Sequence, residues 1–255
     1  MCSELSALTE VAFTNCNTTN VTNMYMMFGR CSNLRDVNLS NLNTSSLTDV
    51  SYIFYNCYAL SSIDMSSFDM SRVTSAGGMF SNCNSLERIT APNTMPSGLV
   101  IDLPATYYDS ENNQVTQISS EQCNKLLVKT CYIITYELDG GTNDSDNPVI
   151  YTEITETIIL KNPTKEGYFF INWYADANFK TVVTQIETGS TGDKTLYAKW
   201  IRLIKSGVNE LQAGEQYMLP EGNWMVEGDS TVYRGDNTVY VSSSSEYIFS
   251  YIDGN

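Results

Sequence analysis

Apolar residues recur at a fixed interval of 26 positions over the first third of the chain. One position of this repeat is always leucine, at Leu8, Leu34, Leu60 and Leu86. Alternation through Val37 and Leu39 predicts a short β-strand with one buried face. The residues that follow place apolar side chains three or four positions apart, which is the stripe of a short helix. In one repeat this stripe consists of Leu47, Val50, Ile53, Phe54 and Cys57.

Neither element can bury its apolar side alone, so neighbouring repeats must stack to build a core. The pattern predicts a solenoid of short strands and short helices over residues 1–91. Paired strands lie about 4.8 Å apart and packed helices about 8–10 Å apart, so the stack is expected to curve with its strands inside. A concave face of this kind often binds ligands, although a solvated face is the simpler interpretation. The candidate ligand-binding residues on it are Asp36, Asn38, Ser62, Asp64, Arg88 and Thr90.

The cysteines follow the same repeat. The chain has seven, and Cys31, Cys57 and Cys83 share one repeat position, which implies a shared environment. Zinc sites need closely spaced cysteine or histidine ligands, whereas these residues are 26 positions apart and histidine is absent. We therefore predict buried structural thiols, with no metal site and no cofactor.

The charge and the missing motifs exclude several classes of function. A formal net charge of −15 disfavours nucleic acids and anionic membranes as partners. No stretch of about 18 or more apolar residues occurs, so no membrane span is predicted. The absence of histidine removes Ser-His-Asp and Cys-His catalysis, and nucleotide-binding glycine motifs do not occur. We predict no enzymatic activity and no catalytic residues.

Two further regions follow the repeats. Residues 92–131 begin with a proline-rich break and then contain a helix candidate that Ser119 or Ser120 could cap, so they are predicted to form the C-terminal cap of the solenoid. The register of the first repeat suggests that the chain is a fragment of a longer protein, with any export signal and anchor lying elsewhere.

From Tyr132 onwards the pattern is typical of β-structure. Alternating strands and tight turns predict one β-domain over residues 132–200 and a small antiparallel β-domain over residues 201–255. A calcium loop within residues 139–147 is disfavoured, because the twelfth position counted from Asp144 is Thr155 and not glutamate. Aromatic residues in both domains are expected to be core, with sugar binding as the alternative; in the last domain these are Trp224, Tyr233 and Tyr240.

The repeat motif resembles a known family. The sequence MYMMFGRCSNLRDVNLSNLNTSSLTDV (residues 24–50) is similar to the BspA-like leucine-rich repeats of bacterial surface proteins, and the likeness extends over residues 2–91. The resemblance implies a leucine-rich-repeat solenoid on an exported protein, in a family associated with adhesion to host proteins or other cells.

The second region also resembles a known family. Residues 132–200 contain a Gly-Gly pair after the first strand, the motif PTKEGYFF, a Trp-Tyr pair and the closing motif LYAKW. These features resemble the Listeria-Bacteroides repeat, also known from internalin B. The resemblance implies a small β-grasp-like module in a surface protein.

The sequence as a whole therefore predicts an α+β multidomain protein. Its predicted parts are a leucine-rich-repeat solenoid (1–91), a cap (92–131), a β-grasp-like domain (132–200) and a small antiparallel β domain (201–255). The predicted function is non-enzymatic binding at the bacterial cell surface, outside the cell, with a host matrix or cell-surface protein as partner. The alternative is a carbohydrate-binding or spacer portion of a larger wall-associated protein.

Overall fold

A computed structural model describes residues 4–204, 206–212, 215–219, 223–226, 232–234, 238–240 and 245–252. The chain divides into two compact units. The first comprises Met1–Tyr132 with the short segments Ile150–Thr157 and Glu187–Thr191, and the second comprises Ile133–Val149, Ile158–Ile186 and Gly192–Asn255.

The first unit begins with four three-residue strands, one in each repeat. They are β1 (Glu10–Ala12), β2 (Asp36–Asn38), β3 (Ser62–Asp64) and β4 (Arg88–Thr90). Strand β1 pairs with β2 and β3 pairs with β4, both in parallel. Strands β2, β3 and β4 bury their central residues, as the predicted alternation requires, and Val37 and Ile63 are only 5% and 3% exposed; Val11 in β1 is partly buried.

Three longer strands follow the repeats in the first unit. They are β5 (Ile101–Tyr108), β6 (Gln114–Ile118) and β7 (Leu126–Val128), and the sheet order is β3-β4-β7-β5-β6. Strand β7 is antiparallel to β4 and so covers the edge of the last repeat. Tyr107 is fully buried beneath this cover, and its hydroxyl donates to the carbonyl oxygen of Leu86 at 2.7 Å.

The predicted helices are wrong, and with them the predicted fold class of an α+β leucine-rich-repeat solenoid. Among the described residues the helical structure is limited to a 3₁₀ turn at Ser120–Gln122, which Ser119 and Gln122 close as a capping box. The predicted cap helix in residues 112–131 is replaced by β6, this turn and β7. The structure is almost entirely β-strand and turn.

Consecutive turns replace the helix in each repeat, because the backbone hydrogen bonds run between repeats. The N–H of Phe28 donates to the carbonyl of Ile53 at 2.9 Å, and the N–H of Phe54 donates to the carbonyl of Met79 at 3.1 Å. The alternate N–H groups close four-residue turns within a repeat, such as that in which the N–H of Cys31 donates to the carbonyl of Phe28 at 3.1 Å. An α-helix would instead direct every N–H four residues back.

Residues in the left-handed conformation occupy two fixed positions of this path in each repeat. Their φ angles lie between 50° and 66°, far from the helical value near −63°. One position is occupied by Met26, Tyr52 and Gly78, and the other by Arg30, Asn56 and Asn82. A chain of such turns still directs every third or fourth side chain inward. The apolar stripe was therefore predicted correctly as a buried stripe although its conformation was not.

Ring stacking organises the core of the repeats. The rings of Phe28 and Phe54 lie 5.5 Å apart and 6° from parallel, and those of Phe54 and Phe80 lie 5.8 Å apart and 3° from parallel. The predicted burial of the repeat cysteines is confirmed, since Cys31, Cys57 and Cys83 are all 0% exposed. Equivalent side chains thus form continuous columns through the repeats.

Gly78 provides a test of the turn geometry. Its φ is 64°, and a Cβ there would lie 2.7 Å from Cδ1 of Tyr52, whose ring covers it. We expect Gly78→Ala to lower the free energy of unfolding by about 1–3 kcal/mol more than Gly98→Ala, because overpacking adds to the strain. Gly98 is the matched control, with a φ of 86° and no atom near the added Cβ. Urea denaturation measures both, and equal losses would contradict the close packing of Tyr52.

The second unit is a set of β-sheets. After β8 (Tyr132–Glu137), its strands in chain order are β10 (Ile158–Ile159), β11 (Tyr168–Tyr174), β12 (Val182–Val183), β13 (Gln185–Ile186), β14 (Lys194–Leu203), β15 (Gly207–Leu211), β16 (Gln216–Met218), β17 (Asn223–Val226), β18 (Val232–Arg234), β19 (Thr238–Tyr240) and β20 (Ser245–Ile252). The remaining strand, β9 (Ile150–Tyr151), lies in a segment of the first unit.

Strand β14 is central to the second unit. The sheet order is β12-β11-β14-β16-β19, and β8 also pairs with β14 in parallel. A second sheet has the order β15-β20-β17-β18, and β10 pairs with β13. Because β14 extends to Leu203 and pairs with β16, one sheet contains residues from both regions that the sequence assigns to separate domains.

Candidate functional site

The strands of the repeats hold the predicted binding residues in a row. Asp36 and Asn38 lie on β2, and Ser62 and Asp64 lie on β3; all four are exposed. No ladder joins β2 to β3 within the described part of the chain, although β1 pairs with β2 and β3 with β4. The backbone edges of β2 and β3 therefore face each other without strand pairing.

A groove of about 340 Å³ lies at this gap. Its polar lining consists of Asp36, Asn38, Ser40, Ser62, Asp64, Ser66 and Ser67. We call it the strand groove. The structure thus brings four of the six predicted residues together, whereas Arg88 and Thr90 lie outside its lining.

Ser40, Ser66 and Ser67 also line the strand groove, and the sequence alone did not identify them as ligand contacts. Ser40 and Ser66 occupy the same repeat position, two residues after each strand, and that recurrence is the signal that could have identified them. Asn38 Oδ1 accepts from the N–H of Ser40 at 3.0 Å and from its hydroxyl at 2.7 Å. Asp64 Oδ1 accepts from the N–H of Ser66 at 2.8 Å. These turns fix one side-chain oxygen of Asn38 and of Asp64.

Some side-chain groups of the strand groove have no hydrogen-bond partner among the described residues, and they determine what the groove can bind. The side chains of Asp36 and Ser62 make no hydrogen bond to any described residue, and Asp64 Oδ2 and the Asn38 amide N–H groups are also unused. Two carboxylates, an amide and a hydroxyl can bind a cationic side chain, peptide N–H groups or sugar hydroxyls. The groove is polar and mildly acidic.

Arg88 is engaged elsewhere. Its guanidinium Nη1 lies 2.9 Å from Glu153 Oε1, and both side chains are partly exposed. Glu153 belongs to a segment of the first unit that is distant from Arg88 in sequence. Arg88 was predicted to bind ligand together with the other strand residues, but its guanidinium is instead held in this ion pair.

Trp173 is a core residue of the second unit, whereas Tyr168 and Phe169 on the same strand are exposed. Trp173 is 1% exposed, and its indole N–H donates to the carbonyl of Lys161 at 3.0 Å. Phe170 makes edge-to-face contacts with Trp173 and Trp200 at 5.3 and 5.5 Å. In the last region, the side chains of Trp224, Tyr233 and Tyr240 lie outside the described residues, and so does the sugar site proposed for them.

Two carboxylates of the acidic segment 139–147 already have partners within the protein. Asp139 Oδ2 pairs with Lys165 Nζ at 2.9 Å, and Asp144 Oδ1 accepts from the N–H of Asp146 at 2.9 Å. In the part of the chain that the structure describes, no group of three or more acidic or cysteine residues is arranged to hold a metal ion. Those residues also include no helix of the length and apolarity that crossing a membrane requires.

The repeat thiols provide a second test. Cys57 and Cys83 donate to the carbonyls of Phe28 and Phe54 at 3.2 and 3.1 Å. Burial raises the pKa of Cys83 to about 12, from 9.0, and raises that of Cys57 as well. The folded state therefore keeps protons that the unfolded state releases above about pH 9. We expect both thiols to react with Ellman's reagent only after unfolding, whereas the exposed Cys16 reacts at once.

The raised pKa of Cys83 also predicts how the free energy of unfolding changes with pH. The stability that protonated Cys83 confers is fully present below about pH 9 and is lost progressively between about pH 9 and pH 12. Urea denaturation at pH 7 and pH 10.5 measures this loss, and Cys83→Val should remove part of it. Equal stability at both pH values, or rapid labelling of Cys83 in the folded protein, would contradict its burial.

Two family models match separate parts of the chain. Residues 1–98 match the family described as "Mycoplasma protein of unknown function, DUF285". Residues 132–199 match the Listeria-Bacteroides repeat domain, which confirms the second resemblance. The comparisons do not show the BspA-like leucine-rich repeat, and the fold of the repeats differs from that expectation.

One curated relative also matches. A protein of Evansella cellulosilytica that is described as a Gly-rich membrane protein is 37% identical over 87 residues, which are 33% of this chain. The alignment covers 10% of that protein's length. No solved structure matches significantly. Together these matches support a cell-surface protein of unknown specific function.

Proposed function

We propose that this chain is a non-enzymatic, adhesin-like binding protein of the bacterial cell surface. Its ligand is a protein of the host matrix or of a neighbouring cell surface, and it binds at the strand groove. The observation that supports this proposal most is the convergence of Asp36, Asn38, Ser62 and Asp64 at the unpaired gap between β2 and β3.

The chemistry of the strand groove favours a basic protein segment. Asp36 and Asp64 offer carboxylate oxygens to lysine or arginine side chains, and such charge-assisted hydrogen bonds are the stronger ones. A chain with a net charge of −15 also attracts basic partners over long distances. The adjacent backbone edges of β2 and β3 can add hydrogen bonds to peptide groups of the ligand.

The stacked repeats hold the groove rigid. Val37 and Ile63 anchor the two strands in the core, and the turns at Ser40 and Ser66 fix neighbouring side chains. Binding to a preorganised surface avoids the entropy cost of ordering flexible loops. The matched families and the membrane-protein relative are consistent with display of this surface outside the cell.

The test uses the full chain on immobilised host matrix proteins and on a glycan array. We expect the double variant Asp36→Asn, Asp64→Asn to weaken binding to the protein ligand by about tenfold or more, since each amide preserves shape and removes charge. Asp146→Asn, an exposed change in the second unit, is the control. Binding of the native chain should also weaken with added salt.

Three outcomes would contradict the proposal. These are binding to glycans alone, which favours the carbohydrate-binding alternative; protein binding that the double variant leaves unchanged; and no binding to any immobilised protein, which favours a spacer.

A further inference from the structure

Three tyrosines are concentrated on the surface of the second repeat. They are Tyr52, Tyr55 and Tyr58, spaced three positions apart along the turns that follow β2. The equivalent positions of the repeats before and after hold mostly small residues: Met26 and Gly78, Gly29 and Ser81, and Ser32 and Asn84. Stacking of the repeats therefore does not require aromatic side chains at these positions.

The turns of a neighbouring repeat lie on each side of these tyrosines. The Tyr52 ring extends over Gly78 of the next repeat and contacts Tyr25 of the previous repeat edge to face, with the ring centroids 5.8 Å apart. Tyr52 nevertheless stays 39% exposed, and Tyr58 is 46% exposed. The hydroxyls of all three tyrosines have no hydrogen-bond partner among the described residues. No open end of the stack accounts for this exposure.

The backbone fixes where the Tyr52 ring lies. Tyr52 has a φ of 56°, as Met26 and Gly78 have φ angles of 50° and 64° at the same repeat position, and Gly78 has no Cβ to displace the ring. The ring is thus held in place although it is not part of the buried core. A ring that is already positioned can bind a ligand without the entropy cost of ordering it.

Tyr52 and Tyr55 form a notch between two perpendicular rings. Their centroids lie 5.6 Å apart, and the angle between the ring planes is 90°. Perpendicular rings offer no common plane on which a flat ligand such as a sugar ring could stack. The arrangement instead suits a compact group that approaches both rings at once. We call it the tyrosine notch.

The second unit contains the same ring geometry with a cation in place. The rings of Tyr174 and Phe179 lie 5.4 Å apart at 78°, and Nζ of Lys199 lies 5.6 and 5.5 Å from their centroids. No carboxylate pairs with Lys199 in the described part of the chain, so the two rings are the partners of its charge there. An ammonium group within about 6 Å of a ring centroid is attracted by the electrons of the ring. The geometry of the tyrosine notch is therefore one that holds a lysine ammonium elsewhere in this protein.

The tyrosine notch has no such cation over it among the described residues. The surrounding sequence is acidic, since residues 36–71 contain no lysine or arginine and four acidic residues, Asp36, Asp49, Asp64 and Asp69. Two rings that attract a cation, in a segment of negative charge, complement a positively charged partner. Tyrosines beside small polar residues are also typical of surfaces that recognise proteins.

We propose that the tyrosine notch binds the ammonium group of a lysine side chain of a partner protein. The ammonium lies at similar distances from the ring centroids of Tyr52 and Tyr55, as that of Lys199 does from its two rings, and the methylene stem of the bound lysine packs on the ring surfaces. The tyrosine notch shares no residue with the strand groove and does not depend on the function proposed for that groove.

The test uses the full chain with Asp36→Asn and Asp64→Asn, so that the carboxylates of the strand groove cannot account for binding of a basic peptide. Two blocked pentapeptides, Gly-Ser-Lys-Ser-Gly and its analogue with norleucine in place of lysine, are titrated into the isotope-labelled protein. Norleucine keeps the four-carbon chain and lacks the ammonium. We expect the lysine peptide to shift the backbone NMR signals of Tyr52, Tyr55 and Gly78, and to bind about two- to fivefold more tightly than the norleucine peptide.

Two further variants locate the binding. Tyr55→Leu should abolish the preference for lysine, because it leaves one ring in the notch. Tyr58→Leu is the matched control, since Tyr58 is an exposed tyrosine of the same repeat that makes no ring contact with a described residue, and it should retain the preference. Thermal unfolding checks that both variants fold.

The proposal is overturned if the two peptides bind equally, if neither shifts these signals at millimolar concentration, or if Tyr55→Leu leaves the preference unchanged. It is also overturned if free choline shifts the same signals at a lower concentration than the lysine peptide does. In that case the ligand is a quaternary ammonium group and not a lysine of a protein.

Discussion

Replacing Phe54 with alanine is expected to lower the free energy of unfolding by about 3–5 kcal/mol. Phe54 is 0% exposed, and its ring stacks on both Phe28 and Phe80. The substitution leaves a cavity in the middle of a column that neighbouring repeats share. The surrounding backbone is held by hydrogen bonds between repeats, so it cannot collapse into that space. Urea denaturation followed by circular dichroism measures the loss.

The matched control for Phe54 is Tyr58→Ala, an aromatic truncation in the same repeat at a side chain that is 46% exposed. We expect it to change stability by no more than about 0.5 kcal/mol. A Phe54→Leu variant should recover much of the loss, because it restores most of the volume. If Phe54→Ala cost no more than Tyr58→Ala, the ring column would not be the core of the repeats.

Trp173→Ala is expected to have an effect of similar size in the second unit, about 3–5 kcal/mol. Its ring contacts Tyr136 and Phe170 edge to face at 5.2 and 5.3 Å. Its removal also deprives the carbonyl of Lys161 of a donor. Trp173 lies on β11 and pairs with Ala198 on β14, so the cavity opens beside the central strand.

Phe169→Ala is the control for Trp173, since Phe169 is also on β11 but is 46% exposed. Trp173→Phe should be intermediate, because it retains most of the ring and loses the indole N–H. The near-ultraviolet circular dichroism signal distinguishes loss of packing from loss of one chromophore. A loss below about 1 kcal/mol for Trp173→Ala would show that the sheet does not depend on this residue, and would favour the sugar-platform interpretation of the aromatic residues.

The burial pattern of the repeats could be predicted from the sequence, and their conformation could not. Spacings of three and four at Val50, Ile53, Phe54 and Cys57 indicate an inward stripe, and all four side chains are fully buried. An α-helix and a run of turns bonded to the next repeat both produce this spacing. Periodicity therefore fixes which side chains point inward but not where their backbone N–H groups donate.

Local residue chemistry did contain a signal against the helix. The segment Ser-Ala-Gly-Gly at residues 75–78 and the asparagines Asn56 and Asn82 are poor helix formers and tolerate positive φ. Tyr52 and Met26 contain no such signal, since both residue types disfavour a positive φ. Their conformation is imposed by hydrogen bonds to neighbouring repeats, which no single repeat encodes.

The candidate site was also predictable in part. Alternation along β2 and β3 identified Asp36, Asn38, Ser62 and Asp64 as outward-facing residues, and the strand groove contains all four. The gap between β2 and β3 depends on the register of whole repeats, so the groove could not be predicted. The ion pair of Arg88 with Glu153 joins residues 65 positions apart in the sequence, and no local pattern indicates it.

Hydrogen bonds that run from one repeat to the next, in place of helical bonds within a repeat, are the central feature of this fold. Scalar couplings across hydrogen bonds, measured by NMR on the labelled chain, identify the acceptor of each N–H directly. We predict a coupling from the Phe28 nitrogen to the carbonyl carbon of Ile53, and one from Phe54 to Met79. Couplings from Phe28 to Met24 and from Phe54 to Val50 would instead show a helix in each repeat and would contradict the account.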